Sequence, residues 1–468
     1  MAGILFRGGT IVSDNRSYRG DILVAGETIT AVGERLAKPA AIDRVIDASG
    51  CLVFPGGIDP HVHFALQTPA GVSADDFASG SRAALAGGTT TVIDFVTPGC
   101  GESLSAALAV RKEAARKSLC DYGLHMSVTA WNDRILPELE ACCRDAGIGS
   151  VKAYLAYKET IGLDDGEFLA LLDAARKLNF LTLVHAESGD MVSYLQNRLM
   201  AAGKTAAGSH PLSRPPDVEG DAVERALLMA RLAGVPLYVV HVSTRQGIAA
   251  VAAARRRGQG AIAETCPQYL LLDEGRYQGE SDAAALHVMS PPLRQREHQS
   301  ALWEALASGM AQTIGSDHCP FNLEDKRRHA ADDFTRVPGG VGGVEYRLPL
   351  LYTFGVRAGR ISLPRFVDLV ATRPAKIFGF YPRKGTIRPG SDADLVIWDP
   401  EKKWTVAAMG QWQRCDHTVY EGLELHGAPR LVFSRGEAVF VDGRVEAGAG
   451  RGTYLGRGSL RGSDGRYG

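Results

Sequence analysis

The chain has 468 residues, with 52 Lys and Arg against 53 Asp and Glu, a formal net charge of −1, 45% hydrophobic residues and 22% charged ones. This is ordinary globular usage, which excludes a disordered, collagen-like or disulfide-stapled chain, and the balanced charge offers no basic stripe for nucleic acid. No stretch reaches the ~18 apolar residues of a membrane helix, and no secretory signal opens the chain, so we expect no membrane contact and a cytoplasmic protein with reduced cysteines. Residues 1–50 read as short strands broken by turn residues: GILFRGGTIVS, GDILVAGETITAVG and RVIDASG. Residues 385–446 read the same way, so one small β-sandwich is expected from both termini, 1–53 with 380–447. Between them, over 54–379, apolar runs alternate with helix-period segments. The runs are CLVFPGGIDPHVH, TTTVIDFV, YGLHMSVTA, SVKAYLAY, FLTLVHAE, PLYVVHVS, AIAETCPQYL and QTIGSDHCP. Near-continuous apolar runs suit strands buried on both faces of a parallel sheet, and eight strand–helix units predict an α/β fold, a (β/α)8 TIM-like barrel. An open doubly wound sheet is the rival, but no G-x-G-x-x-G follows the first run. The Gly/Arg-rich tail, 448–468, reads as a flexible arm with no core of its own, or one that docks on a neighbouring subunit.

Several runs end in residues of metal-ligand type. His61 and His63 are two apart in an extended segment, so both imidazoles face one side and can reach one ion. His185 ends LVH, His241 ends VVH and Asp317 ends IGSD. Active sites of such barrels lie at the C-terminal strand ends, where these five residues would converge. Any one of these histidines alone reads as a packed core residue; the five at equivalent places read as a metal centre. Lys152, inside SVKAYLAY, is costly to bury as an ammonium. It either pairs with a carboxylate or snorkels outward, or else its lowered pKa leaves a neutral amine that can react with carbon dioxide.

The motifs FPGGIDPHVH, GGTTTVIDF, VKAYLAYK, VHAE, HPLSRPP, AETCPQYL, SPPLR, SDHCPF and GGVEYRLPLLY together resemble cyclic amidohydrolases of the dihydropyrimidinase and D-hydantoinase group. The resemblance covers nearly the whole chain except the tail. It implies two divalent ions held by His61, His63, Lys152, His185, His241 and Asp317, with Lys152 carboxylated by carbon dioxide so that it bridges them. The more buried ion would take His61, His63 and Asp317, and the other His185 and His241. Imidazole and carboxylate ligands suit zinc, with manganese or cobalt chemically tolerable. The implied reaction is hydrolytic ring opening of hydantoins or dihydropyrimidines to N-carbamoyl amino acids by a metal-bound hydroxide, with Asp317 shuttling the proton. Tyr157, which on sequence alone could simply pack, would donate to the oxyanion. Ser290 would bind the substrate's amide edge through its backbone, and Phe64–Val72 would wall the exocyclic substituent. A homotetramer is also implied.

Two departures stand out. Gly339-Gly340 replaces the Asn-Gly of many relatives, so a substrate contact at Gly339 holds only if backbone makes it. Tyr346 replaces an acidic or polar residue. His318 is expected to be structural, because adjacent residues at a strand end diverge. The rival readings are an allantoinase-type ureide hydrolase and a non-catalytic, assembly-forming relative; the latter predicts missing metal ligands, and none is missing.

Overall fold

The apolar run that starts at Cys51 serves two sheets rather than one. In the computed structural model, which describes residues 3–39 and 42–457, Leu52–Pro55 is a strand of one sheet and Gly57–Val62 a strand of another. Gly56 between them lies so close to Thr90 that a Cβ would meet its Oγ1 at 2.1 Å, so only glycine can make this passage. The expectation of one continuous barrel strand over this run is corrected: the chain changes sheets in its middle.

Leu52–Pro55 pairs in parallel with Gly3–Val12 and antiparallel with Leu395–Thr405. It thereby splices strands from the two ends of the chain into one nine-stranded sheet. This sheet has a core of its own, in which Phe6 and Phe433 meet edge to face at 4.9 Å. Alternation along Gly3–Val12 is only partial, and the register slips between Phe6 and Gly9, where the strand bulges.

The second sheet contains eight parallel strands: Gly57–Val62, Thr89–Val96, Asp121–Ser127, Ser150–Tyr154, Leu181–His185, Leu237–Val239, Ala261–Thr265 and Thr313–Ile314. All of their residues are buried, as strands covered by helices outside and side chains inside must be. Val62 pairs in parallel with His318, just past the eighth strand, so the sheet nearly closes into a barrel. Ile58, Phe95, Leu183, Tyr238 and Ile262 pack together with Ile377, Phe378 and Leu455. Two helix starts carry a full side-chain cap: Asp76 caps Phe77–Ala86 and Asp164 caps Asp165–Leu178, each in a reciprocal capping box. No helix among the described residues is long and apolar enough to cross a membrane.

The start of the Gly/Arg tail is ordered against its own barrel, which corrects the expectation of a flexible arm for residues 448–457. Tyr454 bridges in parallel to Tyr122, and Leu455 N donates to Tyr122 O at 2.7 Å. Thr453 N donates to the buried Asp121 at 2.8 Å. Arg457 donates to the carbonyls of Gly149 and Ile377. Asp121, Tyr122 and Gly149 stand at the N-terminal ends of their strands, so the segment docks on the floor of the barrel. Residues 458–468 lie outside the described residues.

Candidate active site

The opposite, C-terminal ends of the strands open into a cavity of about 1410 Å³. His61 and His63 enter it from the first barrel strand and the residue after it. His61 Nε2 and His63 Nε2 lie 3.2 Å apart, and Asp317 Oδ1 is 3.2 Å from the first and 3.3 Å from the second. The ring of His63 stacks on Phe95 at 4.6 Å. Across the mouth, His185 Nδ1 and His241 Nε2 lie 3.0 Å apart, and the His61 and His241 rings are 5.5 Å apart. Lys152 lines the same cavity, with its Nζ 5.3 Å and 5.2 Å from the ring centres of Phe95 and Tyr154. All six residues picked out by the strand-end reading and the resemblance therefore face one space.

Burial sets the charge state of these groups. It holds His61, His185 and His241 below the ordinary histidine range, which favours the neutral ring and its lone pair. Burial also brings the Lys152 ammonium down to about 7, against the opposing pull of Asp317 and Glu264. For Asp317 burial works against the charge, but the surrounding imidazoles of His61, His63 and His241 outweigh it, and the carboxyl stays well below its usual range. Imidazole nitrogens facing one another at 3.0–3.2 Å, beside the Asp317 carboxylate, form a donor set suited to a divalent cation. His61, His63 and Asp317 alone bring three such atoms within 4.8 Å of one another. A second group of ligand-type atoms, Cys415, Asp416 and His417, is engaged locally: the Cys415 thiol donates to Phe321 O, and Asp416 Oδ1 accepts from Leu323 N.

Two carboxylates that the sequence reading missed orient this set. Glu264 accepts from His61 Nδ1 at 2.6 Å, from the Tyr238 hydroxyl at 2.7 Å and from His241 N at 3.1 Å. It fixes the tautomer of His61, leaving Nε2 turned to the cavity. Burial raises its carboxyl to about 7 in spite of these donors. Glu187 does the same for His185, accepting from Nε2 at 2.8 Å, and is paired with Arg214 at 2.5 Å. Each glutamate sits in a motif already quoted, AETCPQYL or VHAE. The available signal was a carboxylate at the end of an apolar strand.

Of the seven described non-glycine residues with positive φ, four belong here: Ala65 at 46°, Tyr157 at 59°, His241 at 38° and Asp317 at 51°. Backbone held in this sparsely populated region costs of order 1–3 kcal/mol per residue and clusters at functional sites. The ring of Tyr157 packs 5.2 Å from that of His185 and under the Arg214 guanidinium, and its hydroxyl faces the Ser290 and Arg214 side chains. Burial raises that hydroxyl's pKa, opposed by Arg214. Ser290 and Gly339 line the cavity as neighbours: a Cβ built on Gly339 would come no nearer than 3.9 Å to Met289 Cα and Ser290 Oγ. Gly340 is different, because its φ is 141° and a Cβ would meet Cys319 O at 2.3 Å. Glycine is thus required at 340 but not at 339. Ala65–Gly71 contribute a wall, folded as a hairpin of Gln67–Thr68 on Gly71–Val72.

Tyr346 is buried away from the cavity lining, its hydroxyl donating to Gln411 at 3.0 Å, so that departure alters packing rather than the site. His318 lies between Asp75, 3.1 Å from Nε2, and Gly343 N, which donates to Nδ1 at 3.1 Å.

The protein-family model described as "Amidohydrolase family" matches residues 52–439. The chain belongs to the amidohydrolase family. This amidohydrolase is 42% identical to the D-hydantoinase of Geobacillus stearothermophilus, over 97% of this chain and 96% of the relative. It is 39% identical to the dihydropyrimidinase of Rattus norvegicus, over 97% of this chain and 88% of the relative. The crystal structure of dihydropyrimidinase from Brevibacillus agri NCHU1002 superposes with a TM-score of 0.96 at 41% identity, covering 98% of this chain and all of the other. The fold expected from the eight apolar runs, a parallel barrel with a separate sheet from both termini, is the one observed.

Proposed function

We propose that this amidohydrolase opens the ring of hydantoins and dihydropyrimidines at a cyclic amide bond, giving N-carbamoyl amino acids. The observation that carries the reading is the convergence of four imidazoles, Asp317 and the low-pKa Lys152 in one cavity, in a chain whose relatives bear the names D-hydantoinase and dihydropyrimidinase. Two divalent ions fit the donor set, zinc best, with manganese or cobalt as alternatives. His61, His63 and Asp317 would hold one and His185 and His241 the other, with Lys152, carboxylated by carbon dioxide, between them. When bound, such ions polarise a carbonyl and bring the pKa of water down to ~7.

The chain's own residues do the remaining work. Asp317 engages His61 and His63 through Oδ1, so Oδ2 is the atom that takes a proton during attack and returns it to the departing ring nitrogen. Tyr157 aims a protonated hydroxyl at the carbonyl oxygen as negative charge develops there. Ser290 and Gly339 present backbone donor and acceptor groups to the amide edge of the ring, and the Ala65–Gly71 wall meets the exocyclic substituent. A homotetramer and a cytoplasmic location complete the reading. Eight unpaired cysteines support a reducing compartment, and light scattering on the purified protein tests the assembly.

The deciding experiment compares hydrolysis of dihydrouracil, hydantoin, both enantiomers of a 5-substituted hydantoin, and allantoin by metal-replete protein. We expect turnover of the first groups to exceed that of allantoin. Turnover of allantoin alone would move the chain to ureide hydrolysis, and no turnover with two ions bound would remove the enzymatic reading.

A further inference from the structure

The two segments proposed to read the substrate, Val288–Ser290 and Pro338–Gly340, come from separate loops and are joined from behind by a residue that does not line the cavity. Lys326, in the short helix Leu323–Arg327, is completely buried. Its Nζ donates to Val288 O at 2.7 Å and to Pro338 O at 2.8 Å. Gly340 N donates to the same Val288 O at 3.0 Å, and His210 Nε2 donates to Met289 O at 2.8 Å. We infer that Lys326 is a positioning residue: it clamps the two backbone segments at the separation at which Ser290 and Gly339 together read the amide edge of the cyclic substrate. This inference rests on the function proposed above.

Several observations favour this over mere filling of space. A buried ammonium without a carboxylate is expensive, and the groups Lys326 meets are the two carbonyls, with the Phe321 ring 5.9 Å away. An apolar residue of similar length would fill the volume without that cost but would leave both carbonyls unmet. The anchoring points are one and two residues from the atoms that matter: Pro338 precedes Gly339, and Val288 lies two before Ser290. The loop most in need of restraint is the one that carries two consecutive glycines, since Gly339 has no side chain to pin it. The clamp also survives loss of the charge, because a neutral amine keeps two N–H groups for two carbonyls. Burial brings Lys326 down to about 7, where both forms occur.

The test uses the full-length, metal-replete protein with Lys326→Met and Lys326→Gln, assayed on dihydrouracil and hydantoin, with metal content measured alongside. Loosening a binding edge that grips ground state and transition state alike raises KM and leaves kcat nearly alone. We expect KM to rise roughly tenfold in Lys326→Met with kcat within about threefold and two ions retained. Lys326→Gln, which keeps two N–H donors on a shorter stem, should recover part of the KM. If Lys326→Met does not fold, Lys326→Gln carries the test, with a KM still raised above wild type. A folded variant with wild-type KM, or one whose only defect is fewer active molecules, seen as lower apparent kcat at unchanged KM, overturns the clamp. Wild type serves as the control on the function itself: if it hydrolyses no cyclic amide, the proposed function fails, whereas active wild type with unmoved variants sinks the clamp alone.

Discussion

Lys152 and Lys326 are buried to the same degree, 1% and 0% exposed, and burial brings both ammoniums to about 7. Their surroundings separate them. Around Lys152 stand two aromatic faces and an open cavity ringed by imidazoles, so its amine is left available for reaction. Around Lys326 stand two carbonyls at hydrogen-bond distance, which occupy the amine and would repel an added carboxylate. Desolvation alone therefore does not mark a reactive lysine; what faces the nitrogen decides between chemistry and architecture. The same division runs through the proposed site: the strand ends near Lys152 hold the groups proposed to react, and the loops tied by Lys326 hold the edge proposed to read the substrate.

The largest effect should come from the chemical side. Lys152→Ala is expected to lower turnover by on the order of 10³ or more and to reduce bound metal, read by steady-state rate and elemental analysis. A small carboxylic acid supplied to that variant should restore part of the activity by filling the vacated place. If Lys152→Ala kept its ions and its rate, the contrast between the two lysines would collapse. Next comes Tyr157→Phe, which removes one hydroxyl and keeps the ring. Loss of an oxyanion donor predicts a fall in kcat of ~10²–10³ with a smaller change in KM. Wild-type turnover with slightly lowered stability would instead make Tyr157 a packing residue.

A smaller effect sharpens the other side of the comparison. Lys326 holds a proton less readily in the folded chain, at about 7, than a free lysine at ~10.4. Between those values the unfolded chain binds a proton that the native one lacks, so this group adds a stability term that rises with pH and is lost as pH falls through 7. Its slope is at most ~1.4 kcal/mol per pH unit. The neighbouring Cys319 and Cys415 thiols, raised by burial, contribute with the opposite sign above ~8.5, and the histidines nearby, His210, His287 and His417, are neutral over this range. Those contributions are common to wild type and Lys326→Met, so the difference between their urea midpoints across pH 7 to 10 isolates the lysine. A flat difference would mean Lys326 is protonated as easily as in water. Smallest is Gly339→Asn. The space around residue 339 admits a side chain, and if the backbone supplies the proposed contact, turnover should stay within about tenfold, ~1.4 kcal/mol in barrier. Hydantoin hydrolysis that appears only in Gly339→Asn would show that a side chain is required there.

The candidate metal centre could be read from the sequence because its signal is local. His61 and His63 alternate within one strand, and His185, His241 and Asp317 each end an apolar run, so periodicity alone put them at one end of the barrel. The supporting half depends on partners far apart in the chain. Glu264 orients His61 across 203 residues, and nothing around AIAET names that partner. Lys326 sits in EDKRRH, a charged run that reads as a solvated helix face, and its burial follows only once the loops at 288 and 338 close over it. The division of CLVFPGGIDPHVH between two sheets was hidden for a similar reason: the deciding contact, Gly56 against Thr90, exists only in the assembled fold. The tail misled by composition. Glycine and arginine suggest a solvated arm, yet backbone pairing at Tyr122 and the carbonyls of Gly149 and Ile377 need few apolar side chains to hold it.

That docked tail bears on how the protein could be attached to a support. The chain reaches Arg457 on the barrel floor, at the face opposite the cavity mouth, and Leu455 is anchored there among Ile377, Phe378 and the barrel's inner side chains. A tether joined beyond this point would pull on the floor and leave the mouth turned outward, whereas random coupling through surface lysines would bury some mouths against the matrix. Immobilised in that orientation, the protein should keep its access for substrate even when packed densely on a bead.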